Sequence, residues 1–210
     1  MDGTLVDTEP FWLEAETELM ALYGYSWTPD DQRNCLGGPL PRVGRYMQER
    51  AGVQTPEYFT AELVRRVTAK FSEGLTFMPG AIDFLRSVAI TGLPIGLVSA
   101  SPRELVDATV NALPKNIFTV TISSDEVVNS KPDPEPYIKA AYLVQRPIHH
   151  SLILEDSKTG ITSAQSSGAW VLAIPHIVDI QEDERTMVVK SLVGLDFREV
   201  DDLYRKRSVV

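Results

Sequence analysis

Met1-Asp2-Gly3-Thr4-Leu5-Val6-Asp7-Thr8-Glu9-Pro10 opens the chain, and every later cluster of polar residues gains its meaning from this segment. Gly3 frees the backbone to take positive φ and to pass close to a ligand. Asp2 contributes a carboxylate and a carbonyl, and Thr4 a hydroxyl, all within one turn. Taken alone, Asp2-Gly3-Thr4 is an ordinary turn near a terminus. Thr8-Glu9-Pro10 then reads as a helix start, with Pro10 tolerated in the first turn.

From Pro10 to residue 73 the pattern is helix and turn with no convincing strand. Trp12, Ala15, Leu19 and Leu22 recur at three- and four-residue steps, the mark of a buried helical stripe, and Gly24 ends it. Thr28-Pro29 opens a short helix broken at Cys35-Leu36-Gly37-Gly38-Pro39. Val43, Tyr46 and Met47 share one face of a helix ending near Gly52. Thr55-Pro56 starts another, with Phe59, Leu63, Val67 and Phe71 at helical spacing. The segment reads as a small helical module over 10–74, set between 1–9 and 75–210.

The texture changes at Gly74. Ile95 to Ser99, Val120 to Ser123, Leu152 to Glu155 and Trp170 to Ile174 are short apolar runs. Helical patterns separate them, carrying Leu105, Val106, Val110 and Leu113, then Tyr137, Ala140, Ala141 and Val144, then Lys158 to Ser167. Short strands alternating with helices imply βαβ units and a parallel sheet, an α/β fold. Two further helices are expected, from Asp183 to Leu192 and near Val200. In such sheets ligands bind at the carboxyl ends of the strands, where three polar clusters fall.

With 210 residues, 43% apolar content and a net charge of −9, the chain fits one α/β domain or a core plus a small second one. The acidity argues against a nucleic-acid partner, although one lysine or helix terminus is enough for a small phosphate ester. The single cysteine, Cys35, excludes an internal disulfide and a cysteine-rich zinc site. No run approaches the ~18 apolar residues of a membrane span, and the start lacks a signal-peptide pattern. A cytoplasmic monomer without membrane or nucleic-acid partners is expected.

Each polar cluster has a functional and a bland reading. Ser99-Ala100-Ser101-Pro102 sits where a strand turns into a helix; Ser99 can bind a phosphate oxygen, or Ser101 can simply cap the helix. Lys131 is held in Lys131-Pro132-Asp133-Pro134-Glu135-Pro136, which suits a fixed positive charge, yet a lone lysine is usually a solvated surface residue. Glu155-Asp156-Ser157 follows an apolar strand directly. It fits a hard cation such as Mg²⁺, for which one or two carboxylates suffice, and equally a helix cap. His149-His150 shows no spacing that supports nucleophilic catalysis.

The clusters together, in this order, resemble the haloacid dehalogenase-like hydrolase superfamily, within it the β-phosphoglucomutase-like and phosphoglycolate-phosphatase-like group. The stretches that carry the resemblance are Asp2-Gly3-Thr4-Leu5-Val6-Asp7-Thr8-Glu9, Leu97-Val98-Ser99-Ala100-Ser101, Ser130-Lys131-Pro132-Asp133-Pro134 and Leu154-Glu155-Asp156-Ser157-Lys158-Thr159-Gly160-Ile161. The resemblance implies a Rossmann-like doubly wound parallel sheet with the helical module as an inserted cap domain. It implies Mg²⁺-dependent phosphoryl transfer through an aspartyl-phosphate on a small phosphorylated metabolite, a sugar phosphate above all. Asp2 would be acid/base and carbonyl ligand to the metal, with Asp156 as metal-binding acid and Glu155 beside it. Gly3, Ser99, Ala100, Ser101 and Lys131 would hold phosphate. Arg42, in the cap near Gly37-Gly38-Pro39, would reach the substrate. A phosphomutase and a non-catalytic ligand- or partner-binding relative are the alternative readings.

The sequence departs from the family pattern in two places. Ser130 stands where glycine usually precedes the lysine. The family also places a nucleophilic aspartate two positions before Asp2, at the end of a central apolar strand, whereas here only Met1 precedes Asp2. Without that strand two neighbours would lack backbone partners. The intact remaining motifs lead us to expect a longer natural chain rather than a nucleophile-free form, and an in-frame stop codon directly upstream of Met1 would refute that.

Overall fold

Proline and threonine set the start of each early helix. In a computed structural model describing residues 1–36, 39–175 and 180–207, α1 (Glu9–Ala21), α2 (Pro29–Cys35), α3 (Leu40–Ala51) and α4 (Pro56–Glu73) follow one another with no strand between them. Each has a proline in its first turn, where the missing N–H has no intrahelical partner to lose. Thr28 and Thr55 accept hydrogen bonds from the amides of Asp31 and Tyr58, satisfying a free donor at each helix start. Gly52, at φ +68°, ends α3 in the left-handed conformation. Phe59, Leu63, Val67 and Phe71 of α4 are all buried, as their spacing predicts. Leu22 corrects the α1 stripe: the helix stops at Ala21, and Leu22 turns outward with 66% of its surface exposed. Its place inside goes to Glu16 and Met20.

A polar network that the periodicity does not reveal joins α2 to α3. The buried Asp31 carboxylate accepts from the Thr28 amide at 2.9 Å, the Thr28 hydroxyl at 2.6 Å, and Tyr46 and Arg50 at 2.8 Å each. Burial alone would raise this carboxyl, but these donors hold it well below the usual carboxylate range.

The remainder alternates helix and strand: α5 (Ala81–Ala89), β1 (Gly96–Val98), α6 (Arg103–Asn111), β2 (Val120–Ile122), α7 (Glu135–Leu143), β3 (Leu152–Glu155), α8 (Lys158–Ser167), β4 (Trp170–Ala173), β5 (Thr186–Val188) and α9 (Phe197–Arg207). The pairings between these strands are parallel and fall into two groups, β1–β2 and β3–β4–β5, while an isolated antiparallel bridge joins Val6 to Phe77. Leu97 lies opposite Thr121, and Val171 is flanked by Ile153 and Thr186. The opening segment forms a closed turn. Leu5 and Val6 amides donate to the Met1 carbonyl at 2.8 and 3.1 Å, and Met78 and Asp7 amides tie it to residues 76–78. Met1, Leu5 and Val6 share one apolar cluster with α4, α6 and Leu172. The helical segment therefore packs onto the α/β part through α4 against α6.

The helix expected from Asp183 to Leu192 is instead a turn and strand β5. Asp183 accepts from the amides of Arg185 and Thr186 at 2.8 and 2.7 Å, a local bond that competes with helix formation. Thr186 and Met187 are then buried against β4, and this tertiary pairing overrides helical propensity.

Candidate active site

The carboxyl ends of β1 and β3 bring the predicted polar clusters to the opening turn. Ser99 follows β1 and is buried, its amide donating to the Ile122 carbonyl at 2.9 Å. Its hydroxyl accepts from the Ser101 amide at 3.0 Å and donates to Asp2 Oδ2 at 3.1 Å. Ser101 donates to the same oxygen at 2.8 Å. Helix α6 has no side-chain cap, so Ser101 serves Asp2 rather than the helix start. Asp2 Oδ1 is buried with no hydrogen-bond partner among the described residues.

Beyond β3, Asp156 faces the same turn. Thr4 Oγ1 donates to Asp156 Oδ1 at 2.7 Å. Gly3 takes φ +69°, and a Cβ there would stand 2.1 Å from Asp156 Oδ2. Only glycine permits both the turn and that approach. The capping and ligand readings of Glu155-Asp156-Ser157 divide between residues: Ser157 caps α8, accepting from the Gly160 amide at 3.0 Å, which leaves Asp156 to the site.

Glu155 goes elsewhere. It is buried and ion-paired with Lys131, whose ammonium also donates to the Val98 carbonyl at 3.1 Å. The Tyr137 hydroxyl donates to the same Glu155 oxygen, and the Lys131 ammonium lies 4.7 Å from the Tyr137 ring centroid. A Cβ on Gly160 would sit 2.1 Å from Glu155 Oε2, so the first turn of α8 closes tightly over this carboxylate. Burial alone would raise Glu155, but the Lys131 ammonium and the Tyr137 hydroxyl outweigh it and hold the carboxyl below its ordinary range. Asp156 moves the other way: burial and the Glu155 charge raise it, against the Thr4 hydrogen bond. Glu9, at the start of α1, is also raised, by burial and then by Asp2, Asp7 and Asp156.

The site is thus a crowd of carboxylates around the Lys131 ammonium, with the Met1 ammonium also within electrostatic reach of Glu155 and Asp156. An orphaned buried oxygen on Asp2 and a raised Asp156 across Gly3 form an all-oxygen donor set of the kind a hard divalent cation takes. Among the described residues no three His, Cys, Asp or Glu side chains are grouped as a metal centre. Ala100 is exposed beside Ser99, and Arg42 is exposed in the first turn of α3. Among the described residues no hydrogen bond joins Arg42 to the Asp2 cluster, and Gly37 and Gly38 lie outside them. Tyr137 and Glu9 are the members that sequence reasoning missed. The only signal for Tyr137 was its inward place on the α7 stripe, which says nothing of its hydroxyl. Surface depressions of about 290 Å³ beside Asp183 and about 280 Å³ beside Phe77 lie away from this cluster.

Residues 1–174 match the family model described as haloacid dehalogenase-like hydrolase. The chain belongs to the haloacid dehalogenase-like hydrolase family. Among relatives of this family it is 31% identical over 200 residues to a phosphorylated carbohydrates phosphatase of Thermotoga maritima, covering 93% of this chain and 90% of that one. It is 30% identical over 208 residues to a probable pseudouridine-5'-phosphatase of Drosophila melanogaster, covering 94% and 89%. The crystal structure of a putative β-phosphoglucomutase from Thermotoga maritima superposes with a TM-score of 0.76 at 24% identity, covering 98% of this chain and 96% of that one. The Rossmann-like α/β fold of haloacid dehalogenase-like enzymes is therefore the fold of this chain. No described helix is long and apolar enough to cross a membrane.

Proposed function

We propose that the protein is a phosphatase of small carbohydrate phosphates and that the Asp2 cluster is its phosphate site. The observation that carries this reading is the state of Asp2. One carboxylate oxygen takes both serine hydroxyls, while the other is buried without a partner among the described residues and so stands ready for an incoming group. The 31% identity to a phosphorylated carbohydrates phosphatase supports the substrate class.

In this reading Ser99 and Ser101 turn their hydroxyls to phosphate oxygens, joined by the amides around Gly3 and Ala100. Lys131, fixed by Glu155 and the Val98 carbonyl, neutralises charge on the phosphoryl oxygens. Phosphoryl transfer depends mainly on such positioning and neutralisation. Asp2 gives its proton to the oxygen of the departing alcohol. The Asp2 backbone carbonyl and the Asp156 carboxylate would hold Mg²⁺, which supplies further neutralisation when bound. Glu155 acts through Lys131. Helices of the 10–74 segment form the cap over the 1–9 and 75–210 core, with Arg42 turned toward the substrate. Binding, neutralisation and proton transfer are the roles this reading gives to the residues named here, and the attacking group of the family's reaction is assigned to none of them.

The test is phosphate release from p-nitrophenyl phosphate and a panel of sugar phosphates, with and without Mg²⁺. We expect Mg²⁺-dependent release that Asp156→Ala abolishes. Isomer formation without release would replace phosphatase by phosphomutase. Release that is indifferent to Mg²⁺ and to Asp156→Ala would refute the metal assignment.

A further inference from the structure

Beside Asp2 Oδ1, the buried side-chain oxygens without a hydrogen-bond partner among the described residues include Glu16 Oε2. Glu16 is 3% exposed and lies on the buried side of α1 with Ala15, Leu19 and Met20. An apolar residue would continue that stripe, whereas a glutamate leaves a carboxyl oxygen desolvated and unmatched. A rule broken this way in an otherwise regular helix marks a functional position.

The placement says which function. Glu9 and Glu16 are seven residues apart on α1, so they share one face about 10 Å apart along the axis. Glu9 lies within electrostatic reach of Asp2, Asp7 and Asp156, and Glu16 within reach of Glu9 on one side. On the other side it reaches Cys35, near which Arg42 also acts. The Trp27 indole N–H, which donates to Gln32 Oε1 at 3.2 Å, also reaches the Glu16 carboxyl and leaves Oε2 open. A substrate with its phosphate at Asp2 and its long axis along α1 would bring its far end to Glu16. The span calls for a ligand longer than a two-carbon acid phosphate.

We propose that Glu16 is a specificity residue that hydrogen-bonds a hydroxyl at the end of a sugar phosphate remote from the phosphate group. Burial, with Glu9 nearby, pushes the Glu16 carboxyl up to about 8. At neutral pH it is therefore a neutral acid, with both a donor and an acceptor for a hydroxyl; a cationic amine would meet no charge there. The inference rests on the phosphate site proposed above.

Calorimetric titration of the whole protein separates the two. The probes are inorganic phosphate, phenyl phosphate, glucose 1-phosphate, glucose 6-phosphate and ribose 5-phosphate, against wild type, Glu16→Ala and Glu16→Gln. At least one sugar phosphate should bind wild type more tightly than phenyl phosphate. Glu16→Ala should weaken that ligand by about tenfold, a typical hydrogen-bond contribution, and leave inorganic phosphate unchanged. Glu16→Gln keeps a donor and an acceptor and should restore most of the affinity. Equal weakening of sugar phosphate and inorganic phosphate in Glu16→Ala would reveal a purely structural role and overturn the proposal. So would an undiminished sugar preference. Failure of wild type to bind inorganic phosphate would overturn the phosphate site itself, and this proposal with it.

Discussion

Replacing Lys131 by Met tests whether the lysine is held for the site by a buried ion pair. Lys131 and Glu155 side chains are 8% and 6% exposed, so Lys131→Met strands a carboxylate in the interior. Its hydrogen-bond donors among the described residues are then neutral: the Tyr137 hydroxyl, the Asp156 amide at 3.3 Å and the Ser157 hydroxyl at 3.4 Å. Removing one partner of a buried pair costs about 3–5 kcal/mol. For a chain of this size that corresponds to a melting temperature lower by on the order of 10 °C. The pH profile gives the sharper readout. In wild type the folded Glu155 carboxyl is held below its ordinary value. Its contribution is therefore present above the unfolded pKa of about 4.3 and lost as pH falls through the folded value. In Lys131→Met burial dominates, the folded value rises above the unfolded one, and this carboxyl's contribution falls as pH rises instead. Urea melts from pH 4 to 8 should show an opposite Glu155 contribution in the two proteins. The double variant Lys131→Met/Glu155→Leu should recover much of the stability but none of the phosphate binding. A loss below about 1 kcal/mol, the range of an exposed pair, with an unchanged pH profile, would refute the reasoning.

Gly3→Ala should lose about 1–2 kcal/mol from the left-handed backbone and more from the contact with Asp156; thermal melts and inorganic phosphate titration should fall together. Asp31→Asn should cost about 3 kcal/mol by breaking the carboxylate's pairing with Arg50. Because the folded Asp31 value is lowered, its stabilisation is present above the usual carboxylate range and lost as pH falls, so the variant's melts at neutral and acid pH should differ less than wild type's. Ser157→Ala removes the α8 cap and should cost about 1 kcal/mol in urea melts, with inorganic phosphate affinity unaltered; a lost affinity would place Ser157 in the site.

Elements with strong local signals were readable in advance. Threonine-proline starts, glycine ends and the Phe59-Leu63-Val67-Phe71 stripe appear in α2 to α4 as their spacing implies, and apolar runs ending in polar residues became β1 to β4. Lys131, Ser99 and Asp2 were singled out because short motifs stand in a set order, and the fold brings Ser99 to Asp2 and Lys131 to the end of β1. What escaped depends on contacts between distant segments. Thr186 to Val188 pairs with β4 because a neighbouring strand edge is there to receive it. Glu155 turned to Lys131 and Tyr137, leaving Asp156 with Thr4, and adjacent acids in a string do not reveal which partner each will face. Leu22 missed the interior because its helix stops one residue earlier than the stripe implied.

The shared apolar cluster of α4 and α6 bears on how this chain can be rebuilt. A graft that imports helices α1 to α4 from a relative would replace one half of a packed seam. The buried face of α6, with Leu105, Val106 and Thr109, must be exchanged with it, so the unit that can be transplanted extends past the helical segment into the α/β part of the chain.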